Sequence, residues 1–180
     1  MPIVDLMSRC MTDTTTVQSF AGRQIVESLD REFARLHSRS CAVIQSTPAD
    51  LLYTVTTNET GSLPSIGEDV LRSAAAVEQT FGGITANLWD DPFEWTLPEY
   101  LSTPVKVIEH LGEVEQVRQR AFSSFDVDAC LVKHVATPSG ETRPLVELLL
   151  ETLIRAAGYQ GRATATLKFL SAISTPGFII

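Results

Sequence analysis

Apolar residues recur at spacings of three and four along four stretches of this chain, the period that gathers them on one face of a helix. The longest runs from residue 143 to residue 171. Its seam reads Leu145, Leu148, Thr152, Arg155, Tyr159, Arg162, Thr166, Phe169 and Ile173, flanked by Leu149, Leu153, Ala156, Ala163, Leu167 and Leu170. That stripe is wide enough for a helix packed on two neighbours. Its middle is anomalous, because Thr152, Arg155, Tyr159 and Arg162 interrupt it with polar groups. Taking a charge out of water costs on the order of several kcal/mol unless it is paired or borders a solvated cavity. Either these side chains line a pocket, or the seam lies one position away.

The other three stretches carry helix-boundary signals. Thr15 and Gln18 have the spacing of a capping box and open a helix over 16–45, with Phe20, Ile25, Leu29, Phe33, Leu36 and Val43 on its face and Pro48 beyond its end. A short turn at 47–53 and a polar connector at 54–62 follow. Ser65 and Glu68 form a second capping box, opening a helix with seam Ile66, Val70, Ser73, Val77, Thr80 and Ile84. Gly82-Gly83 weakens its end, at about 1 kcal/mol per glycine relative to alanine, so a frayed terminus is expected there rather than a close helix approach. Thr103-Pro104 is an N-cap with proline at the first helical position. The third helix then runs to about Phe125 on Val107, Leu111, Val114, Ala121 and Phe125, with Lys106, Glu109, His110, Glu113, Glu115, Arg118 and Arg120 on a solvated face.

Between the second and third helices, residues 88–98 hold both tryptophans, Trp89 and Trp95, with Asp90, Asp91, Glu94 and two prolines. Aromatics in such a loop pack down as a lid over a core edge. Residues 126–143 are the loosest connection, with a turn at Pro138-Ser139-Gly140 and a short extended piece at 132–136. Pro144 opens the fourth helix and Pro176-Gly177 stops it after Ser174. The organisation expected is a loose arm at 1–15, one domain at 16–174 and a tail at 175–180, whose Phe178-Ile179-Ile180 packs on the helices or on a second subunit. The fold class is all-α, a four-helix bundle with long connecting loops that permit crossovers.

Composition narrows the function. With 44% hydrophobic and 20% charged residues in 180, the chain can bury one full core. The net charge of −8, with Lys and Arg scattered, opposes nucleic-acid binding. No run of about 18 apolar residues marks a membrane span and no signal segment opens the chain, so a cytoplasmic protein is expected. Cys10, Cys41 and Cys130 lack zinc-site spacing and read as reduced, packed residues, although His134 lies four positions after Cys130. His110 and Glu113 have His-x-x-Glu spacing but read as a surface ion pair, and no Glu-x-x-His of the ferritin-like kind occurs.

The stretches Ser65-Ile66-Gly67-Glu68-Asp69-Val70-Leu71-Arg72-Ser73-Ala74-Ala75-Ala76-Val77-Glu78 and Leu148-Leu149-Leu150-Glu151-Thr152-Leu153-Ile154-Arg155-Ala156-Ala157-Gly158-Tyr159-Gln160-Gly161-Arg162 resemble the DinB-like (YfiT-like) superfamily of bacterial four-helix proteins, over roughly residues 20 to 172. The resemblance implies a divalent metal on three histidines, one in the second helix and a His-x-x-x-His pair in the fourth followed by glycine, with thiol-dependent transferase or isomerase activity and homodimers. On this chain those positions hold Ser73 (or Arg72, one residue earlier), Arg155 and Tyr159, with Gly161 as the glycine. None is histidine, and arginine cannot ligate a metal. The resemblance therefore implies a fold and a pocket, while the residues withdraw the metal, and no cofactor is expected.

Three functions compete. The first is a metal-free module whose pocket of Ser73, Arg155, Tyr159 and Arg162, with Glu151 or Glu78, takes a small anionic molecule, set against a plain Glu151 to Arg155 network. The second is a metal-dependent thiol transferase or hydrolase with a non-standard site drawn from His37, His110, Glu113 and His134. The third is a dimeric structural protein joined through the Trp89 to Trp95 loop or the tail. Binding is favoured over catalysis.

Overall fold

The computed structural model describes residues 22–58, 61–94 and 99–173. The protein is all-α in class, with helices α1 (Gln24–Gln45), α2 (Ile66–Ala86), α3 (Pro104–Ser123) and α4 (Leu145–Ile173). Two small antiparallel hairpins sit in the connections: β1 (Thr56–Asn58) with β2 (Gly61–Leu63), and β3 (His134–Ala136) with β4 (Thr142–Pro144). Strands of three residues are too short to show alternation, so periodicity found the helices and only the turn and extended piece of the second hairpin. The arm at 1–15, Thr15, Gln18, Phe20, Trp95 and the tail at 175–180 lie outside the described residues.

α1 starts at Gln24, not Thr16, because Gly22 and Arg23 are not helical. Their roles explain the boundary. Arg23 reaches across to α3, donating from Nε to the carbonyl of Phe125 at 2.9 Å and from Nη2 to that of Phe122 at 2.7 Å. The free N–H groups of Ile25 and Val26 donate to the Asp128 carboxylate at 3.0 and 2.9 Å. A residue 102 positions on thus caps the helix, satisfying donors every helix start leaves open. Val26 is buried and Ile25 exposed, which corrects the expected face by one position at this end.

The Ser65 capping box forms as expected. Glu68 N–H donates to Ser65 Oγ at 3.2 Å and Ser65 N–H donates to Glu68 Oε2 at 2.9 Å. From there Ile66, Val70, Ser73, Val77 and Thr80 are buried. α2 does not fray at Gly82-Gly83 but continues to Ala86, ending on Asn87 in the left-handed region with φ 55°. The glycine has a packing reason, since the Trp89 indole occupies the place a Cβ on Gly83 would take. The lid of residues 88–94 is thereby seated on α2, and a turn of 3-10 helix at Pro92–Glu94 follows.

α3 opens as read, with Thr103 Oγ1 accepting from Lys106 N–H at 3.3 Å. Its expected solvated face needs correction at His110, Glu115 and Arg118, whose side chains are largely buried, Arg118 the most at 4% exposed. Arg118 faces α1, donating to Glu115 at 2.8 and 2.7 Å and to the Asp30 carboxylate. The charge is tolerated there because nearly the whole planar fork is matched.

α1 packs on α3 and α4, and α2 packs on the same two helices. Phe33 of α1, Phe81 of α2 and Phe122 of α3 meet at the centre with ring centroids 5.3 to 5.7 Å apart, edge-on or tilted as aromatic quadrupoles prefer. All three are essentially inaccessible. The middle of the molecule is therefore packed core.

Candidate functional site

The polar middle of α4 resolves into two sets. Its buried line is Leu145, Leu148, Leu149, Thr152, Ala156, Ala163 and Leu170, with Gln160 beside it. The seam read from sequence holds through Leu145, Leu148 and Thr152 and is displaced by one residue from there on, so that Arg155, Tyr159 and Arg162 stand at its edge. The buried polar groups along this line are hydrogen-bonded. Thr152 and Thr80 hydroxyls share a 2.6 Å hydrogen bond. Gln160 Nε2 donates to the Leu36 carbonyl at 2.7 Å and to Ser40 Oγ at 2.8 Å. Ser73, 1% exposed, donates to the carbonyl of Ala156 at 2.9 Å. It pins α2 to α4 and is closed off from the edge residues.

The edge residues are themselves divided. Arg162 makes a two-pronged contact with Asp69 of α2, Nε to Oδ2 at 3.2 Å and Nη2 to Oδ1 at 2.5 Å, and its guanidinium lies 4.9 Å from the Tyr159 ring centre. The Asp69 hydrogen bond, opposed by some burial, holds the Arg162 pKa above its ordinary value. It borders an apolar groove with Leu63, Pro64 and Phe169. Glu151 joins Glu147 on Arg143, each at 2.7 Å, and so is not the partner of Arg155.

Arg155 and Tyr159 do share a cleft, with Arg72, Ala75, Ala76 and Gln79 of α2 and with Asp91 and Phe93 of the lid. It is small, about 40 Å³, and open to solvent, roughly room for a few water-sized groups. Both cations are held in place. The Arg72 guanidinium lies 4.0 Å over the Phe93 ring centre, a cation–π contact. Arg155 Nη2 donates to Gln79 Oε1 at 3.2 Å, while Gln79 Nε2 donates to the Trp89 carbonyl at 2.9 Å. One glutamine thus ties the lid to the arginine. Asp91 Oδ1 accepts from Phe93 N–H at 3.0 Å, shaping the lid's turn. Neither arginine forms an ion pair with a described carboxylate, in contrast to Arg35, Arg118, Arg143 and Arg162. Sequence reasoning named Arg155 and Tyr159, and gave Arg72 as the alternative to Ser73. It missed Gln79 and Phe93, for which the only signals were one helical turn from Ala76 and an aromatic in the lid.

The three histidines sit in separate surroundings. His110 is mostly buried between Glu78 of α2 and Glu113, each 3.8 Å away, so the pair read as a surface contact reaches between helices. Burial, with the charge of Glu113 adding and that of His110 opposing, raises the Glu78 pKa. His37 Nε2 is 3.6 Å from Cys41 Sγ, one turn along α1. Burial, then the charge of Glu115, raises that thiol's pKa and keeps it protonated. This His-x-x-x-Cys spacing was legible in the sequence but was passed over for Cys130 and His134, which form no hydrogen bond with each other. Among the described residues, no group of three or more His, Cys, Asp or Glu side chains is arranged to hold a metal ion.

The positions that the sequence resemblance assigns to metal ligands do not fit one. Ser73 has its hydrogen committed to Ala156, Arg155 is a permanent cation, and Tyr159 is a phenol beside a second arginine. No helix among the described residues is long and apolar enough to cross a membrane. No family model matches the chain, and neither a curated protein nor a solved structure matches it.

Proposed function

We propose that this protein is a small-molecule binding module whose four helices form a DinB-like bundle, and that the cleft between α2, α4 and the lid takes a small anion without metal chemistry. One observation carries the reading: Arg72 and Arg155 line the same cleft, each braced by a neutral neighbour, and neither is matched by a described carboxylate. Pre-positioned guanidinium groups bind carboxylate or phosphate oxygens through planar, charge-assisted hydrogen bonds, and the bracing reduces the ordering cost of binding. The Tyr159 hydroxyl adds a neutral donor. Thermal-shift measurement with acetate and inorganic phosphate tests it. Stabilisation of the wild type that disappears in Arg155→Ala supports the site, and its absence, or equal stabilisation of that variant, refutes it.

Self-association is a second reading, favoured by the outer face of α4. Ile154 is 73% exposed, Leu150 one turn before it 46% and Phe169 towards the C-terminal end of the helix 52%, while alanines built at Gly158 and Gly161 would meet nothing within 4 Å. Glu147 and Glu151 lie in the N-terminal half of the helix and Arg162 and Lys168 in the C-terminal half. An antiparallel pair of copies would set acidic half against basic half and Ile154 over the glycines, whereas a parallel pair would oppose like charges. Sedimentation at low micromolar concentration checks it: a dimer that Ile154→Glu dissociates is expected, and a monomer removes the reading. One part of the Trp89 ring is already engaged by Gly83.

A further inference from the structure

The cleft presents two cations and, across from them on the lid, one carboxylate. Arg72 and Arg155 project from α2 and α4, whereas Asp91 belongs to the loop that forms one wall of the cleft. Asp91 forms no ion pair with a described cation; its Oδ1 is used by the Phe93 N–H, which leaves Oδ2 and the charge unmatched by any described residue. We infer that the ligand is a zwitterion of the α-amino acid type, its carboxylate on Arg72 and Arg155 and its ammonium on Asp91.

The inference rests on the anion-binding reading above and sharpens it. A simple anion would use the two guanidinium groups but would suffer repulsion from the Asp91 charge. A ligand carrying an ammonium beside its carboxylate turns that repulsion into attraction. Size agrees with a head group alone being seated. A cleft of about 40 Å³ does not enclose a drug-sized molecule, for which several hundred Å³ is typical, so the remainder of the ligand projects through the open mouth. The lid's connection to the site supplies a response to occupancy, since Gln79 bridges Arg155 and the Trp89 carbonyl. An anion drawing Arg155 away from Gln79 Oε1 would loosen that bridge next to an indole.

The test uses the full chain with L-alanine, acetate, ethylammonium and inorganic phosphate as probes, read by amide chemical-shift titration and tryptophan fluorescence. L-Alanine is expected to bind about tenfold more tightly than acetate, the scale of one additional charge-assisted contact. Asp91→Asn keeps the oxygen that accepts from Phe93 N–H and should reduce L-alanine to the affinity of acetate, while Arg155→Gln weakens both. Equal binding of acetate and L-alanine, or an Asp91→Asn variant with undiminished preference for L-alanine, overturns the zwitterion and leaves the anion reading standing. No shift of residues 72–93 or 155–159 with any probe overturns both.

Discussion

Replacing Arg118 by alanine tests how the α1 to α3 contact is held. The guanidinium is 4% exposed and engages Glu115, whose side chain is 13% exposed, together with Asp30, at 40%. Removing it strands Glu115 in a place that water reaches poorly. Breaking such a pair by deleting one partner costs about 3 to 5 kcal/mol when it is fully buried, and the exposure of Asp30 confines the loss to the lower end, about 3 kcal/mol. For 180 residues that is roughly 6 to 12 °C in Tm. The sign with pH follows from Glu115. Burial alone would raise its pKa, but hydrogen bonds from Arg118 and Gln119, with the charges of Arg118 and His37, outweigh burial and hold it below the ordinary 4.5. A depressed carboxylate contributes stability that is fully present above about pH 4.5 and is lost as pH falls through its lowered value. In Arg118→Ala the same carboxyl is buried without its cation, so its protonation relieves the variant. Urea unfolding of both proteins at pH 7 and pH 4 should show the difference shrinking on acidification. An Arg118→Met, Glu115→Gln double variant should recover most of the stability. A difference under about 1 kcal/mol at pH 7, the value of a surface ion pair, or one independent of pH, would refute the reasoning.

Gly83→Ala should destabilise by about 1 to 3 kcal/mol through overpacking and shift the tryptophan emission, because the new Cβ meets the Trp89 ring. Gly158→Ala, with nothing near it, should instead stabilise by about 0.5 to 1 kcal/mol. Burial, then the Glu68 charge, pushes the Tyr53 phenol to about 12 from its ordinary 10. Its stabilising contribution is therefore full below pH 10 and lost as pH rises through 12, and an ultraviolet titration of the native protein should lose a transition near pH 12 in Tyr53→Phe. Arg162→Ala leaves Asp69, 1% exposed, without its cation and should cost about 1 to 3 kcal/mol, whereas Arg155→Ala should cost under about 0.5 kcal/mol; denaturant midpoints showing equal losses would contradict the division between these two arginines.

Helices α2 and α3 were legible because each carries its own start signal beside a 3.6-residue period. Ser65 with Glu68 and Thr103 with Pro104 act within four residues, so their hydrogen bonds are written locally. The start of α1 was not legible for the opposite reason. Its cap is Asp128, and no local pattern reveals a carboxylate supplied from the connection that follows α3. The same non-locality hid the role of Gly83. A glycine pair near a helix end reads as fraying until Trp89 is seen lying on it, and the cost in helix propensity is then offset by burying an indole face.

The site was half legible, and the reason is angular. Successive residues of a helix are separated by about 100°, so a seam drawn through Arg155, Tyr159 and Arg162 differs from one through Ala156, Gln160 and Ala163 by a single step. The two seams have opposite energetics. In the first, two arginines would need burial; in the second, the buried polar groups are amides and hydroxyls that four hydrogen bonds satisfy. The structure adopts the second, which leaves the arginines at the margin where water still reaches them. Their use then depends on α2, because residues three or four apart there face different parts of α4. Asp69 stands opposite Arg162 and neutralises it. Opposite Arg155 the chain places Ala76 and Gln79, groups that orient a guanidinium without cancelling its charge. A charge that the fold braces but does not neutralise is left to act on a ligand, which is why the binding proposal rests on Arg155 and Arg72 and not on the whole polar stripe of α4.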